Sequence, residues 1–315
     1  MTAIAQIATA TAAGPVPLRF QIGARTLMAI PRRLMRIPLS LDDARTGAVP
    51  PLPPLDRAAH GYLVTSLPAD RADALVRASG SMLPFVRQRY TRWSTDLTIG
   101  FDGWFAGLSA NTRQQLRRKT KRLAAENGGV LDIRSFRTPA ELARFHAQAR
   151  RISQRTYQER LLDSGLPAGP EFLADMMARA AADHVRAWLL CLDGEPIAYL
   201  YCPVVGDTVV YAHVGHDPAC DALSPGAVLQ LEAFRRLFAE PGLARFDFTE
   251  GEGQHKRGMA TDGVACVDLL LLRPGLVNKV TLLGIAGFDR GVALAKHLVR
   301  RAGMSALAKR LRRGG

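Results

Sequence analysis

The period of the apolar positions changes several times along the chain. In GYLVTSLP (61–68) it predicts a strand, and in RADALVRASG (71–80) apolar residues fall at helical spacing before a glycine stop. LPFVRQRYTRWSTDLTIG (83–100) alternates polar and apolar residues, which predicts one long strand or a hairpin. SANTRQQLRRKTKRLAAEN (109–127) predicts a helix with Ser109 or Asn111 as N-cap. GGVLDIRSF (128–136) follows as a strand, then a helix over 138–161 that opens with Thr138, Pro139 and Glu141, a capping box. A further helix is predicted over 170–184. The order then changes: residues 185–218 read as three strands joined by turns at Asp193-Gly194 and Gly206-Asp207. A helix over 224–240, a strand over 244–250, the glycine-rich loop GEGQHKRG, a buried strand over 263–274 and a basic amphipathic tail complete the chain. At the other end, residues 1–20 are Ala/Thr-rich and read as a frayed tail. The proline cluster VPPLPPL (49–55) reads as an extended loop or linker.

Helices, an antiparallel run of strands, another helix and more strands predict a mixed α/β (α+β) domain. Composition narrows the class. The 315 residues are 48% hydrophobic and 22% charged, enough to bury a core and too apolar for disorder throughout. Scattered Gly and Pro exclude collagen-like and coiled-coil chains. Cys191, Cys202, Cys220 and Cys266 form no C-x-x-C pair, and the N-terminus lacks a basic segment ahead of an apolar one. Reduced thiols in a cytoplasmic protein are therefore expected. No apolar run reaches the ~18 residues that a spanning helix needs. The nucleophile-elbow, Walker and H-E-x-x-H motifs are missing. His213 and His216 have no third ligand at metal-site spacing, so no metal is expected.

Four segments, in this order, resemble a known family. DGEPIAYLY as a hairpin into a central strand, YAHVGHDP as the next strand, LSPGAVLQLEAFRRL as the following helix and RFDFTEGEGQHKRGMA as strand plus loop are together similar to the acyltransferase domain of the GNAT superfamily. The pattern D-F-x-x-G-x-x-x-x-K, here ending at Lys256, resembles the branch of peptidoglycan-bridge (Fem-type) transferases and cellulose-locus acetyltransferases. The resemblance covers about residues 109–272. It implies a GNAT-like twisted mixed sheet flanked by helices, with acyl-CoA as co-substrate. Fem-type relatives carry two such units, so residues 56–108 are expected to be a degenerate first one. The implied division is 1–55 tail and proline-rich linker, 56–108 first unit, 109–275 acyltransferase domain and 276–315 basic tail.

The physics of these segments agrees with that implication. A helix opening Ser224-Pro225-Gly226-Ala227-Val228 presents backbone N–H groups and the positive end of its dipole, a seat for a pyrophosphate. Proline at N1 needs no donor, and Gly226 permits close approach. In GNAT enzymes this corresponds to the loop that cradles coenzyme A, although only one glycine of the usual glycine-rich pattern is kept here. The other reading is a plain helix start. Amide-forming acyl transfer also needs a base for the amine and an acid for the leaving thiolate. Tyr211 and His213, two apart, are expected on one strand face, and Glu250, Glu252, His255 and Lys256 follow the next strand. A histidine near pKa ~6.5 suits a base, as does a glutamate raised by burial. Against this, His213 reads equally as a hydrogen-bonded core residue and the glutamates as a solvated turn. Lys256 either pairs with phosphates or is surface charge.

Charge adds a partner. Lys+Arg 42 against Asp+Glu 28 leaves +14, and residues 279–313 hold nine cations against Asp289 alone, interleaved with Val, Leu, Ile and Phe. That mixture suits a helix lying on an anionic membrane surface; a nucleic-acid patch does not want those apolar residues, and plain solubility is the bland reading. The segments IPRRLMRIPLSLDDA, PFVRQRYTRW and YAHVGHDPACDALSPGAVLQLEAFR are similar to GNAT-like bacterial ceramide synthases. This resemblance implies transfer of a long acyl chain to a sphingoid, lipid-like amine, peripherally on the inner membrane, with no nucleic acid involved. Two rivals stay open: an acyl or aminoacyl transferase for a sugar or cell-wall precursor amine, and a non-catalytic membrane-bound scaffold.

Overall fold

The computed structural model describes residues 13–22, 25–156, 165–251 and 253–301. The chain forms two units, Met1–Arg92 with Val264–Gly315, and Trp93–Gly263. The first unit begins with β1 (Gly14–Ile22), β2 (Arg25–Pro38), α1 (Leu41–Thr46), β3 (Gly61–Pro68) and α2 (Ala72–Ala78), and β4 (Leu83–Asp96) carries the chain into the second. There follow α3 (Phe101–Gly107), α4 (Ala110–Glu126), β5 (Asp132–Phe136), α5 (Pro139–Ser153) and α6 (Pro170–Ala181). Next come β6 (Val185–Leu192), β7 (Glu195–Val205), β8 (Thr208–Val210) and β9 (His213–His216). The second unit ends with α7 (Pro225–Phe238), β10 (Arg245–Asp247) and α8 (Gln254–Met259). β11 (Asp262–Leu272) and α9 (Leu276–Arg301) return to the first unit.

In the first unit β1 and β2 form an antiparallel hairpin, β2 runs parallel to β3, and β3 is antiparallel to β11. Where the sequence reading has a frayed tail and linker, residues 14–22 and 25–38 are therefore paired strands. Proline and arginine hide them. Pro15 and Pro17 are tolerated because β1 pairs on one side only, and Leu18, Phe20, Leu34 and Ile37 still point into apolar clusters. The proline run 49–55 is irregular, as expected. β11, assigned in sequence to the end of the later domain, pairs here from Leu272↔Gly61 to Cys266↔Pro68. Its buried Asp268 is hydrogen-bonded by the Ser66 N–H (3.1 Å), the Tyr90 hydroxyl (3.0 Å) and the Gln88 amide (2.6 Å). A buried carboxylate without such donors would be costly.

The second unit is a three-layer sandwich with strand order β4-β10-β8-β7-β6-β5, and β9 pairs with β7. Alternation sorts its two cores. Trp188, Leu190, Ala198, Leu200 and Cys202 face one side, with Trp104 of α3, Leu116 and Leu123 of α4, and α7. Ala187, Leu189, Cys191, Tyr199 and Tyr201 face the other, with α5 and α6. Local signals start the helices where the sequence places them. Ser109 Oγ accepts from the Thr112 N–H (3.1 Å), and the Thr138–Glu141 capping box is complete. The fold is GNAT-like, a mixed sheet flanked by helices.

Candidate active site

The site grows out of a parting of strands. β8 and β10 run parallel as far as the pair Val210↔Asp247, and the Tyr211 N–H still donates to the Asp247 carbonyl (2.9 Å). Beyond that point β9 pairs with β7, from Tyr201↔His213 to Ala198↔His216, whereas the chain after β10 bonds back through the Phe248 N–H to the Trp93 carbonyl (3.0 Å). A cavity of about 940 Å³ borders this gap. Tyr211, Val214, Gly215 and His216 line it from the β8–β9 side, and Gly226, Ala227 and Gln230 from α7. Lys119 contributes from α4, and His255 and Lys256 from α8. That volume lies in the range of pockets for organic ligands.

Residues Tyr211 and Ala212 belong to neither β8 nor β9. This break shifts the strand parity, so Tyr211 and His213 do not share a face as their spacing predicts. Tyr211 points to the cavity and packs beside Phe246 and Phe248, with ring centroids 5.8 and 6.0 Å away. His213 turns to the opposite core, against Phe172 (5.4 Å) and Tyr201 (6.0 Å), with a hydrogen bond to the Gly165 backbone. Burial pushes the Tyr211 phenol well above its ordinary pKa and holds His213 below the ordinary histidine value.

The N-terminus of α7 is built differently from a simple cap. Ser224 adopts a left-handed conformation (φ 53°, ψ 50°), and its side chain makes no capping hydrogen bond. Its carbonyl accepts from the Ala227 N–H (3.1 Å). Pro225 and Val228 are buried in the core, which leaves Gly226 and Ala227 as the wall of the cavity. A Cβ on Gly226 would meet the His216 ring at 3.6 Å, an ordinary contact. Gly226 is thus not demanded by backbone conformation; its smallness keeps space open. One turn further, Gln230 is 4% exposed and its amide nitrogen is buried without a hydrogen-bond partner. An orphan donor in a cavity wall is a costly arrangement unless a ligand satisfies it.

Of the four candidates after β10, His255 and Lys256 reach the cavity. Desolvation, together with the neighbouring Lys256 charge, holds His255 below the ordinary histidine pKa. The Lys256 ammonium also donates to the Glu250 carbonyl (2.6 Å), which folds the loop over. The Glu250 side chain is exposed and off the cavity wall, and Glu252 lies outside the described residues. Sequence reasoning passed over Gln230 and Lys119. Of the six cations on α4, Arg113 bonds the Leu108 carbonyl (2.6 Å) and Arg117 lies over the Phe105 ring (5.3 Å), while Lys119 lines the cavity. No spacing rule marks Lys119; the packing of Leu116 and Leu123 decides which side turns inward. Among the described residues no group of side chains gathers that would hold a metal ion.

Residues 110–257, just under half of the chain, match the family described as an acetyltransferase (GNAT) domain. No curated protein matches the chain. Similar solved structures include the C-terminal domain of a putative lysylphosphatidylglycerol synthetase from Agrobacterium fabrum, 10% identical, covering 93% of this chain and 88% of that one with a TM-score of 0.49. L-PGS from Bacillus licheniformis is 12% identical, with 88% of each chain covered and a TM-score of 0.48. FemX is 11% identical, with 82% of this chain and 88% of that chain covered and a TM-score of 0.48.

Proposed function

We propose that this protein is an acyl-CoA-dependent N-acyltransferase, and that its acceptor is the amine of a sphingoid base, as in bacterial ceramide synthases, met on the inner membrane. One observation carries the acyl-transfer part. A single cavity gathers a helix N-terminus, an orphan amide donor, two lysines, two histidines and a tyrosine. Acyl-CoA supplies an activated thioester, which the acceptor nitrogen attacks with loss of the thiol. The backbone at Gly226 and Ala227, with Lys119 and Lys256, suits the phosphates. Gln230 offers its amide to a carbonyl of the acyl donor. His255, kept neutral near pH 7, takes a proton from the acceptor amine, and Tyr211, kept protonated, gives one to the leaving sulfur. His213, turned to the opposite face against Phe172 and Tyr201, has no part in this scheme.

The lipid acceptor is supported by the similarity of residues 30–44, 84–93 and 211–235 to ceramide synthases. A Fem-type transferase acting on a sugar or cell-wall amine is the rival, favoured by the run from Asp247 to Lys256. Purified protein with acyl-CoA and either a long-chain sphingoid base or an amino-sugar precursor separates them, with free thiol and the amide product measured. Thiol release that depends on the sphingoid base is the expected result. Release only with the precursor amine would establish the rival, and no amine-dependent release with any acyl-CoA would remove the enzyme reading.

A further inference from the structure

We propose that the outer face of α9 is a membrane-docking surface that lies in the headgroup region of an anionic bilayer. The inference uses the first unit alone and stands whether or not the cavity of the second unit takes acyl-CoA. The helix is 26 residues long, about 39 Å at 1.5 Å per residue, and it is apolar on two opposite sides. The inner side is spoken for. Ile285 is 1% exposed, Phe288 stacks edge-on against Phe20 (5.4 Å), and Thr281 accepts from Arg32 (2.6 Å). The outer side carries Leu276, Val280, Leu283, Leu294 and Leu298, each more than half exposed, at spacings of four, three, eleven and four. These spacings keep one stripe along the helix, and Gly287 and Gly291 continue it between.

Charge selects the occupant. From residue 276 onward the chain has nine cations and one acid, Asp289. Asp289 is matched by Arg87 at 3.0 Å, so the positive charge is left for a partner. Lys279 and Arg290 are exposed and, at 3.6 residues per turn, lie together along one edge of the apolar stripe. Apolar residues edged by cations suit an interface where acyl chains lie beneath anionic headgroups. A second copy of a +14 chain would oppose like charge to like across this face. A nucleic acid would satisfy the cations and leave the stripe in water. Among the described residues no helix is long and apolar enough to cross a membrane, so α9 would lie on the surface rather than span it.

The test is sedimentation of the full chain with vesicles of phosphatidylcholine alone or with one third phosphatidylglycerol. Two variants accompany it, Val280→Ser/Leu283→Ser/Leu294→Ser and Lys279→Glu/Arg290→Glu, all on the exposed face, with circular dichroism confirming that they fold. The expected result is binding to the anionic vesicles at least tenfold tighter than to the neutral ones, and at least tenfold weaker for either variant. Higher salt should weaken wild-type binding without abolishing it, because inserted side chains are not screened. Wild-type-like binding by the serine variant would overturn the proposal, as would failure of the wild type to bind anionic vesicles. Dimerisation of the wild type that the serine variant abolishes would overturn it too, by showing a second copy on the stripe.

Discussion

His255 shares a short helix with Lys256, and desolvation plus that neighbouring charge favour its neutral form. A base of this kind is lost as pH falls through its lowered pKa. Turnover should therefore hold from neutral pH down past ~6.5, the ordinary histidine value, and decline below it. His255→Gln should cost about 10²–10⁴ in kcat and erase that acid limb; a pH–rate profile of both proteins checks this. Gln230 predicts a different signature. Replacing an orphaned buried amide by an apolar side chain of similar size removes a desolvation cost, so Gln230→Leu should leave the melting temperature unchanged or raised. If the amide serves the acyl donor, the same variant should raise KM for acyl-CoA about tenfold, equivalent to about 1.4 kcal/mol. Calorimetry and steady-state kinetics on one protein sample separate the two effects.

At the scale of elements, the close approach of β7 and β9 makes the cavity wall. A Cβ on Gly215 would sit 2.5 Å from the ring of Tyr199, a fully buried side chain of the opposite core. Gly215→Ala must push that ring or open the β7–β9 pairing, and overpacking of this kind costs about 1–3 kcal/mol. Thermal unfolding should show the loss. Because Tyr211, Val214 and His216 hang on the same short segment, acyl-CoA binding should weaken in this variant even though Gly215 adds no charge to the cavity.

For the molecule as a whole, the return of β11 and α9 to the first unit means that its N-terminal strands depend on the C-terminal residues. Truncation after Pro274 strips Ile285 and Phe288 from the cluster around Leu18, Phe20 and Leu34, and leaves Arg87 without Asp289. Losing large buried side chains costs about 3 kcal/mol or more. The truncated chain should unfold at a markedly lower denaturant midpoint, while serine substitutions on the outer stripe should leave the midpoint near wild type. Deletion of the helix would thus confound membrane binding with stability. Only substitutions on its outer face test docking alone.

Wherever the information is local, the sequence determines the outcome. Thr138, Pro139 and Glu141 start α5 because the cap completes itself within four residues, and Ser109 does the same for α4. Apolar periods placed β3, β11 and α7 for the same reason. The hairpin strands 14–22 and 25–38 were hidden because their prolines and arginines oppose strand formation locally; Pro15 and Pro17 are tolerated because β1 pairs on one side only. Tyr211 and His213 were separated by a two-residue break whose effect on parity depends on which neighbours β8 and β9 each pair with. His255 and Lys256 were readable by residue type, whereas Gln230 and Lys119 were ordinary positions on helices until packing turned them toward the gap. Spacing along a chain fixes which residues share an element; which side of that element meets a cavity is set by partners distant in sequence, and only the tertiary fold supplies them.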